Sequence, residues 1–163
     1  MSKRGNFKKI MELKKLITIL LFINFCTTVS SEMIEPDKNL TPYDVVKIQL
    51  NALKDNNNPS VDFGIRQTWI FAHPENKKIT GPFERFRIML YGAQYGLLLE
   101  HNSHKIKLIM NTVEKYIFGV EILSKDKKLF FYEWHLEKGS DEACQNCWFT
   151  SAVSIPIDQG NTI

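Results

Sequence analysis

The sequence predicts an α+β domain in which N-terminal helices pack on one face of an antiparallel meander sheet. Between Thr41 and Gly92, apolar residues recur at the three- and four-residue spacings of amphipathic helices. From His104 onward the apolar period falls to two, which is typical of strands with one buried face. Helices followed by a run of hairpin-connected strands favour an α+β layout over a parallel α/β one.

The first thirty-one residues have the order of a cleavable secretory signal. An apolar run from Leu16 to Phe25 follows a basic segment and precedes the small polar residues 27–31. We therefore predict cleavage after Ser30 or Ser31 and an exported protein, periplasmic or secreted. A membrane-spanning helix needs about 20 apolar residues, and the run from Leu16 to Phe25 is only about half that length. A permanent anchor is therefore disfavoured, and we expect the protein to contact the membrane only transiently, through its signal peptide. The residues before Cys26 are not the small ones that lipid attachment requires.

Charge argues against a nucleic-acid partner. The chain has 21 Lys and Arg residues, but six lie in residues 1–31; of 18 Asp and Glu residues only one lies there. From Glu32 onward 15 basic residues face 17 acidic ones, a net charge of −2. The one tight basic cluster after the signal, residues 125–128, flanks a predicted turn. Binding to nucleic acid needs a basic stripe, which this pattern does not offer.

The domain is expected to occupy residues 40–157, after a flexible leader at 32–39 and before a tail at 158–163. Thr41 is a good N-cap, Pro42 suits the first helical position, and Asp44 completes a capping box, so a first helix should run to about Lys54. The segment Asp55–Pro59 ends it.

Two more helices are predicted. The second begins near residues 60–62 and ends at His73, because Pro74 disfavours helical geometry in the residue before it. Residues 75–78 then form a polar connection. The third helix follows Thr80-Gly81-Pro82 and ends at Gly92 to Gly96.

Four strands are predicted, separated by turns at residues 124–127 and 137–142. The fourth runs from Trp148 to Ile155. The alternating apolar residues are Ile106, Leu108 and Met110 in the first strand, Tyr116, Phe118, Val120 and Ile122 in the second, and Phe130, Tyr132, Trp134 and Leu136 in the third.

Five stretches stand out in the chain: Leu40–Leu53, Gly64-Ile65-Arg66, Phe71–Asn76, Thr80–Phe86 and Cys147-Trp148-Phe149-Thr150. They resemble an uncharacterised family of small bacterial domains of unknown function. The resemblance covers about Leu40 to Val153. It implies a fold similar to the cone-shaped nuclear-transport-factor-like domains, or to cystatin-like ones, in which helices cover a curved antiparallel meander sheet and a pocket lies between them. It implies no activity, because such folds serve as enzymes, binding modules and structural units alike.

Cys144 and Cys147 form the one motif with intrinsic chemistry. Removal of the signal would leave these two cysteines, and an even count suits a disulfide in an oxidising compartment. Free thiols, thiol redox catalysis and a metal site remain alternatives. The pair precedes a strand instead of opening a helix, which disfavours redox catalysis. Zinc would need further ligands, for which only His73, His101, His104 and His135 are available; we predict no metal and no cofactor.

Glu133 and His135 share one side of the third strand and are candidate acid and base residues. If the sheet curls around a cavity, the pair could transfer protons there. If that side faces water, as is usual in antiparallel sheets, the pair is a surface feature, and this is the favoured interpretation. We expect the core to contain the three tryptophans that follow the signal, Trp69, Trp134 and Trp148. A place in the lining of a pocket is the second interpretation of these residues.

The main functional hypothesis is a non-catalytic module that binds a small molecule or a protein of the cell envelope. The alternative is an isomerase- or hydrolase-type enzyme that uses Glu133 and His135 in a cone-shaped pocket. A thiol redox protein that acts through Cys144 and Cys147 is the weaker alternative.

Overall fold

The computed structural model describes residues 32–139 and 144–161, which belong to one compact unit, Glu32–Ile163. The helices are α1 (Pro42–Lys54), α2 (Phe63–Ile70), α3 (Pro74–Thr80) and α4 (Phe83–Tyr91), followed by a 3₁₀ turn at Gly96–Leu98. The strands are β1 (Ser103–Asn111), β2 (Lys115–Leu123), β3 (Lys128–Lys138), β4 (Trp148–Val153) and β5 (Ile157–Asn161). The predicted α+β class is confirmed. The predicted signal peptide lies outside the described residues.

Helix α1 begins and ends where the sequence predicts. Thr41 Oγ1 accepts a hydrogen bond from the Asp44 backbone N–H at 3.1 Å, and the Asp44 carboxylate accepts one from the Thr41 N–H at 2.9 Å. The Asp44 carboxylate also accepts from the Thr41 hydroxyl, and this bond, together with that from the Thr41 N–H, lowers the pKa of Asp44. The capping box therefore fixes the helix start, and the helix buries Val45, Val46, Gln49, Leu50 and Leu53.

The region between α1 and α4 differs from its prediction. Helix α2 is shorter than expected, and the polar connection predicted at residues 75–78 lies within helix α3, Pro74–Thr80. The ring of His73 caps α3 by accepting a hydrogen bond from the Glu75 N–H at 3.2 Å, and Pro74 occupies the first turn. Since α3 buries none of its residues, it has no apolar periodicity to reveal it.

The sheet is antiparallel, with strand order β1-β2-β3-β4 and with β5 also paired to β3. Strand β3 has 11 residues, so β4 pairs with its second half and β5 with its first. Strand β4 ends at Val153, two residues before the predicted end of the fourth strand at Ile155. Beyond Val153, Ser154 still bonds to the backbone of β3. Its N–H donates to the Glu133 carbonyl at 3.0 Å, and its Oγ accepts from the Glu133 N–H at 2.9 Å.

Strand β5 begins at the last residue of the predicted domain, Ile157, and continues into the tail predicted at residues 158–163. It contains a single apolar side chain, Ile157, so its sequence shows no alternation. Strand β1 also departs from its pattern, because a bulge between Leu108 and Met110 shifts its register against β2. Both side chains are about half exposed, at 46% and 47%.

The core lies between the helices and one face of the sheet. Phe118, Val120 and Ile122 of β2 are buried, as are Phe130, Tyr132, Trp134 and Leu136 of β3, so the predicted inward side of these strands is confirmed. The apolar stripes of α1, α2 and α4 cover this face.

The segment 32–39 has no regular secondary structure, but it is attached to the domain at Ile34. The backbone N–H of Ile34 donates to the Gln67 side-chain oxygen at 2.8 Å, and its carbonyl accepts from the Gln67 amide nitrogen at 2.7 Å. Gln67 is itself buried on α2. Among the described residues, none of the helices is both long enough and apolar enough to cross a bilayer.

Candidate functional site

A cavity of about 220 Å³ lies between the helices and strands β3 and β4. Its apolar walls come mainly from α4 and the segment after it, with Phe86, Met89, Leu90, Tyr95 and Leu98. Of the described residues that line it, none is Asp, Glu, Lys, Arg or His. Burial raises the pKa of Tyr95, so its phenol stays protonated and the lining is uncharged at neutral pH.

A buried hydrogen-bonded cluster, Gln49, Trp134 and Thr150, contributes the polar part of the lining. The Trp134 indole N–H donates to Gln49 Oε1 at 3.1 Å and to Thr150 Oγ1 at 3.0 Å. The Thr150 hydroxyl donates to the same Gln49 oxygen at 2.6 Å. All three residues are at most 3% exposed. The cluster joins α1, β3 and β4 and holds the lining in one arrangement.

Thr150 is positioned by the segment between α2 and α3. The Thr150 N–H donates to the Phe71 carbonyl at 2.8 Å, and the Thr150 carbonyl accepts from the His73 N–H at 2.8 Å. Ala72, between them, forms a parallel bridge with Thr150. The linker between α2 and α3 therefore pairs with β4 like a very short extra strand. The periodicity of the sequence does not predict this pairing.

Helix α3 forms one edge of the cavity. Asn76, Ile79 and Thr80 all line the cavity, yet Ile79 is 76% exposed. The Asn76 side chain donates to the Thr150 carbonyl at 3.3 Å, and the Thr80 hydroxyl donates to the Asn76 carbonyl at 2.8 Å. Because Ile79 meets both cavity and solvent, the mouth of the cavity lies at α3.

The candidate acid and base lie on the other face of the sheet. Since Tyr132, Trp134 and Leu136 point into the core, Glu133 and His135 alternate with them and point away from the helices. The Glu133 Oε2 to His135 Nε2 distance is 3.3 Å, and the side chains are 48% and 24% exposed. The two residues are brought together, but neither lines the helix–sheet cavity.

The three tryptophans have different surroundings. Trp134 is 1% exposed and lines the cavity. Trp69 is half-buried, with its ring centroid 4.9 Å from that of Phe86. Trp148 is half-buried on β4, packs edge-on against Tyr116 at 5.0 Å and lies beneath the Lys138 ammonium. Only one of the three therefore contributes to the cavity.

The structure pairs Cys144 with Cys147 in a disulfide whose Cα atoms are 5.6 Å apart, a separation that disulfides commonly span. Cys147 is fully buried and its N–H bonds to the Cys144 carbonyl, so the pair forms a tight turn before β4. Among the described residues, no three His, Cys, Asp or Glu side chains lie together as a metal site would need.

His101 and His104 lie against each other, a pairing that no sequence pattern predicted. His101 Nδ1 lies 2.7 Å from the Leu98 carbonyl, and its Nε2 lies 2.7 Å from His104 Nδ1. Burial lowers the pKa of His101 to about 4, and the neighbouring charges of His104 and Lys54 act in the same direction. His101 is therefore neutral at physiological pH: Nδ1 carries the proton donated to the carbonyl, and Nε2 accepts from His104.

A second, polar groove of about 350 Å³ lies between the end of α1 and the β2–β3 turn. The Lys125 ammonium contacts the Glu100 carboxylate, which also accepts a hydrogen bond from the Asn57 amide at 2.8 Å. These contacts, that of Lys125 first, lower the pKa of Glu100. Since Glu100 and Lys125 already pair with each other, the apolar cavity is the better candidate site.

Comparison of the chain with family models, with curated proteins and with solved structures finds no match. The resemblance to nuclear-transport-factor-like domains therefore stays a prediction, and the candidate site depends on its geometry alone.

Proposed function

We propose that this domain is a non-catalytic binding module that holds a small, uncharged, largely apolar molecule in the helix–sheet cavity. The observation that carries the proposal is the cavity of about 220 Å³ with an uncharged lining. A purely apolar cavity of about 150 Å³ is enough to bind benzene, so this one has room for a ring with a few substituent atoms, about nine non-hydrogen atoms in all.

The chemistry of the lining favours binding over turnover. The Thr150 hydroxyl donates its proton to an amide oxygen, that of Gln49. An amide oxygen accepts hydrogen bonds but is not a base that could remove the proton, so the hydroxyl is not activated as a nucleophile. The enzyme alternative through Glu133 and His135 would require a separate site on the outer face of the sheet.

Export and the nuclear-transport-factor-like fold are further parts of the proposal. Export is supported by the basic, apolar and small-polar order of residues 1–31 and would make the disulfide compatible with its compartment. The fold is supported by helices on one face of an antiparallel sheet with a cavity between them. A small molecule of the cell envelope is then the expected partner.

The binding proposal is tested by titrating toluene into the ¹⁵N-labelled domain and following amide shifts. Met89→Trp should fill the cavity from α4 and weaken toluene binding at least tenfold. Ile88→Trp is the matched control, because Ile88 is the neighbouring residue on the same helix, 66% exposed and outside the lining. Equal toluene affinity in the two variants, or no binding to the unmodified domain, would refute the proposal.

A further inference from the structure

The side-chain amide of Gln49 has unused hydrogen-bonding capacity in a buried position. Gln49 is 0% exposed and lines the cavity. Its oxygen accepts from Trp134 and Thr150, and its nitrogen donates to the Thr68 carbonyl at 3.1 Å. A primary amide carries two N–H donors. The second one has no partner among the described residues.

The orientation of this amide is fixed by its neighbours. An indole N–H is only a donor, so the atom of Gln49 that faces Trp134 must be the oxygen. A backbone carbonyl is only an acceptor, so the atom that faces Thr68 must be the nitrogen. A flipped amide would lose both bonds. The free hydrogen-bonding group of Gln49 is therefore a donor.

The oxygens beside it are already engaged. Gln49 Oε1 accepts two hydrogen bonds, and Thr150 Oγ1 accepts one and donates one. A ligand group that can only donate would find Gln49 Oε1 already accepting two hydrogen bonds, whereas a ligand oxygen could accept from the open N–H of the same amide. A buried donor without a partner costs free energy that such an oxygen would recover.

We infer that the natural ligand carries a hydrogen-bond acceptor, such as a ketone, ester, amide or ether oxygen, which the second N–H of Gln49 recognises. This inference rests on the proposed function and specifies its ligand class: a neutral molecule with an apolar body and one acceptor oxygen. Gln49 is then the residue that selects this class, and the walls from α4 select its size.

The test compares acetophenone with cumene, which replaces the carbonyl oxygen by a methyl group and keeps the number of non-hydrogen atoms. Because the two probes differ in solubility, we form the ratio of the acetophenone to the cumene dissociation constant. This ratio is then compared between the wild type and Gln49→Met. Loss of one neutral hydrogen bond should weaken acetophenone relative to cumene by about fivefold to tenfold in the variant. An unchanged ratio would overturn the inference and leave the proposed function standing.

A second measurement needs no variant. Acetophenone, but not cumene, should move the side-chain N–H signals of Gln49 in the wild-type domain, because only its oxygen accepts from that amide. Equal shifts with both probes would overturn the inference. Failure of both probes to bind at all would refute the proposed function and the inference with it.

Discussion

Trp134 and Gln49 are 85 residues apart in the chain, yet the indole N–H of the first lies 3.1 Å from the amide oxygen of the second. This bond connects the centre of β3 to α1, and both residues line the cavity. The same contact therefore stabilises the helix–sheet packing and shapes the candidate binding site.

Replacement of Trp134 by Phe should reveal this double role. The variant removes the N–H that serves Gln49 and Thr150 and leaves unfilled volume, so the free energy of unfolding should fall by about 2–4 kcal/mol. Trp148→Phe is the control, since that indole is half-buried at the margin of the core, against Tyr116; it should cost below about 1.5 kcal/mol. Denaturant unfolding with equal losses for both variants would contradict the assigned role of Trp134.

Gly64 should be intolerant of any side chain. A Cβ atom at this position would lie 2.0 Å from the Ala52 carbonyl oxygen, so α1 and α2 can approach only because Gly64 has none. We expect Gly64→Ala to lower the free energy of unfolding by more than about 3 kcal/mol. Gly96→Ala, whose Cβ would have its nearest neighbour at 3.6 Å, should change it by less than about 1 kcal/mol. Thermal unfolding that ranks the two variants the other way would exclude this close approach.

His101 should make the stability of the domain depend on pH. Its pKa is 6.5 in an unfolded chain and about 4 in the folded one, so its contribution is present above pH 6.5 and is lost as pH falls toward 4. Between pH 7 and pH 5 this amounts to about 2 kcal/mol. The interval from pH 7 to pH 5 lies above the pKa values of ordinary carboxylates, about 4, so most Asp and Glu side chains stay ionised throughout it.

The matching variant is His101→Asn, which does not titrate. Its free energy of unfolding, measured by urea titration, should change much less over the same interval. A slope with pH as steep as that of the wild type would show that His101 is not the group responsible.

The disulfide should survive in protein from an oxidising compartment but contribute little to stability. It closes a very short loop, so its effect should be well below the roughly 3 kcal/mol expected for a 15-residue loop. Thiol titration of the unfolded, unreduced mature protein should find no free thiol. Two free thiols would exclude the pairing, and zinc retained after chelator washing would favour the metal alternative.

Mature protein recovered from cells should begin at or near Glu32, because the preceding segment has the order of a secretory signal. Intact-mass measurement gives the answer directly. A full-length chain in the membrane fraction would contradict export with cleavage.

Local rules of the sequence predicted much of the fold. The start of α1 could be predicted from Thr41 and Asp44, because a capping box involves only residues close together in the chain. The inward side of β3 follows from alternation, which burial enforces at every second residue from Phe130 to Leu136. These signals are present in the sequence because each depends on a few adjacent positions.

The rest depends on contacts between distant residues. Helix α3 buries no residue and β5 has one apolar side chain, so neither carries a periodic signal. Gln49 looks like an ordinary polar residue within the stripe of α1 until Trp134 and Thr150 are brought against it. The favoured interpretation of Glu133 and His135 placed them on a wet face, and the structure puts them opposite the helices, away from the cavity that the enzyme hypothesis needs.

Intermolecular nuclear Overhauser effects between bound toluene and the methyl groups of the domain test the central claim most directly. Binding in the helix–sheet cavity predicts contacts from the toluene ring to the methyl groups of Leu53, Leu90 and Leu98, which line it and are at most 3% exposed. Contacts confined to exposed methyl groups such as that of Ile88, or no contacts at saturating toluene, would contradict a binding site in this cavity.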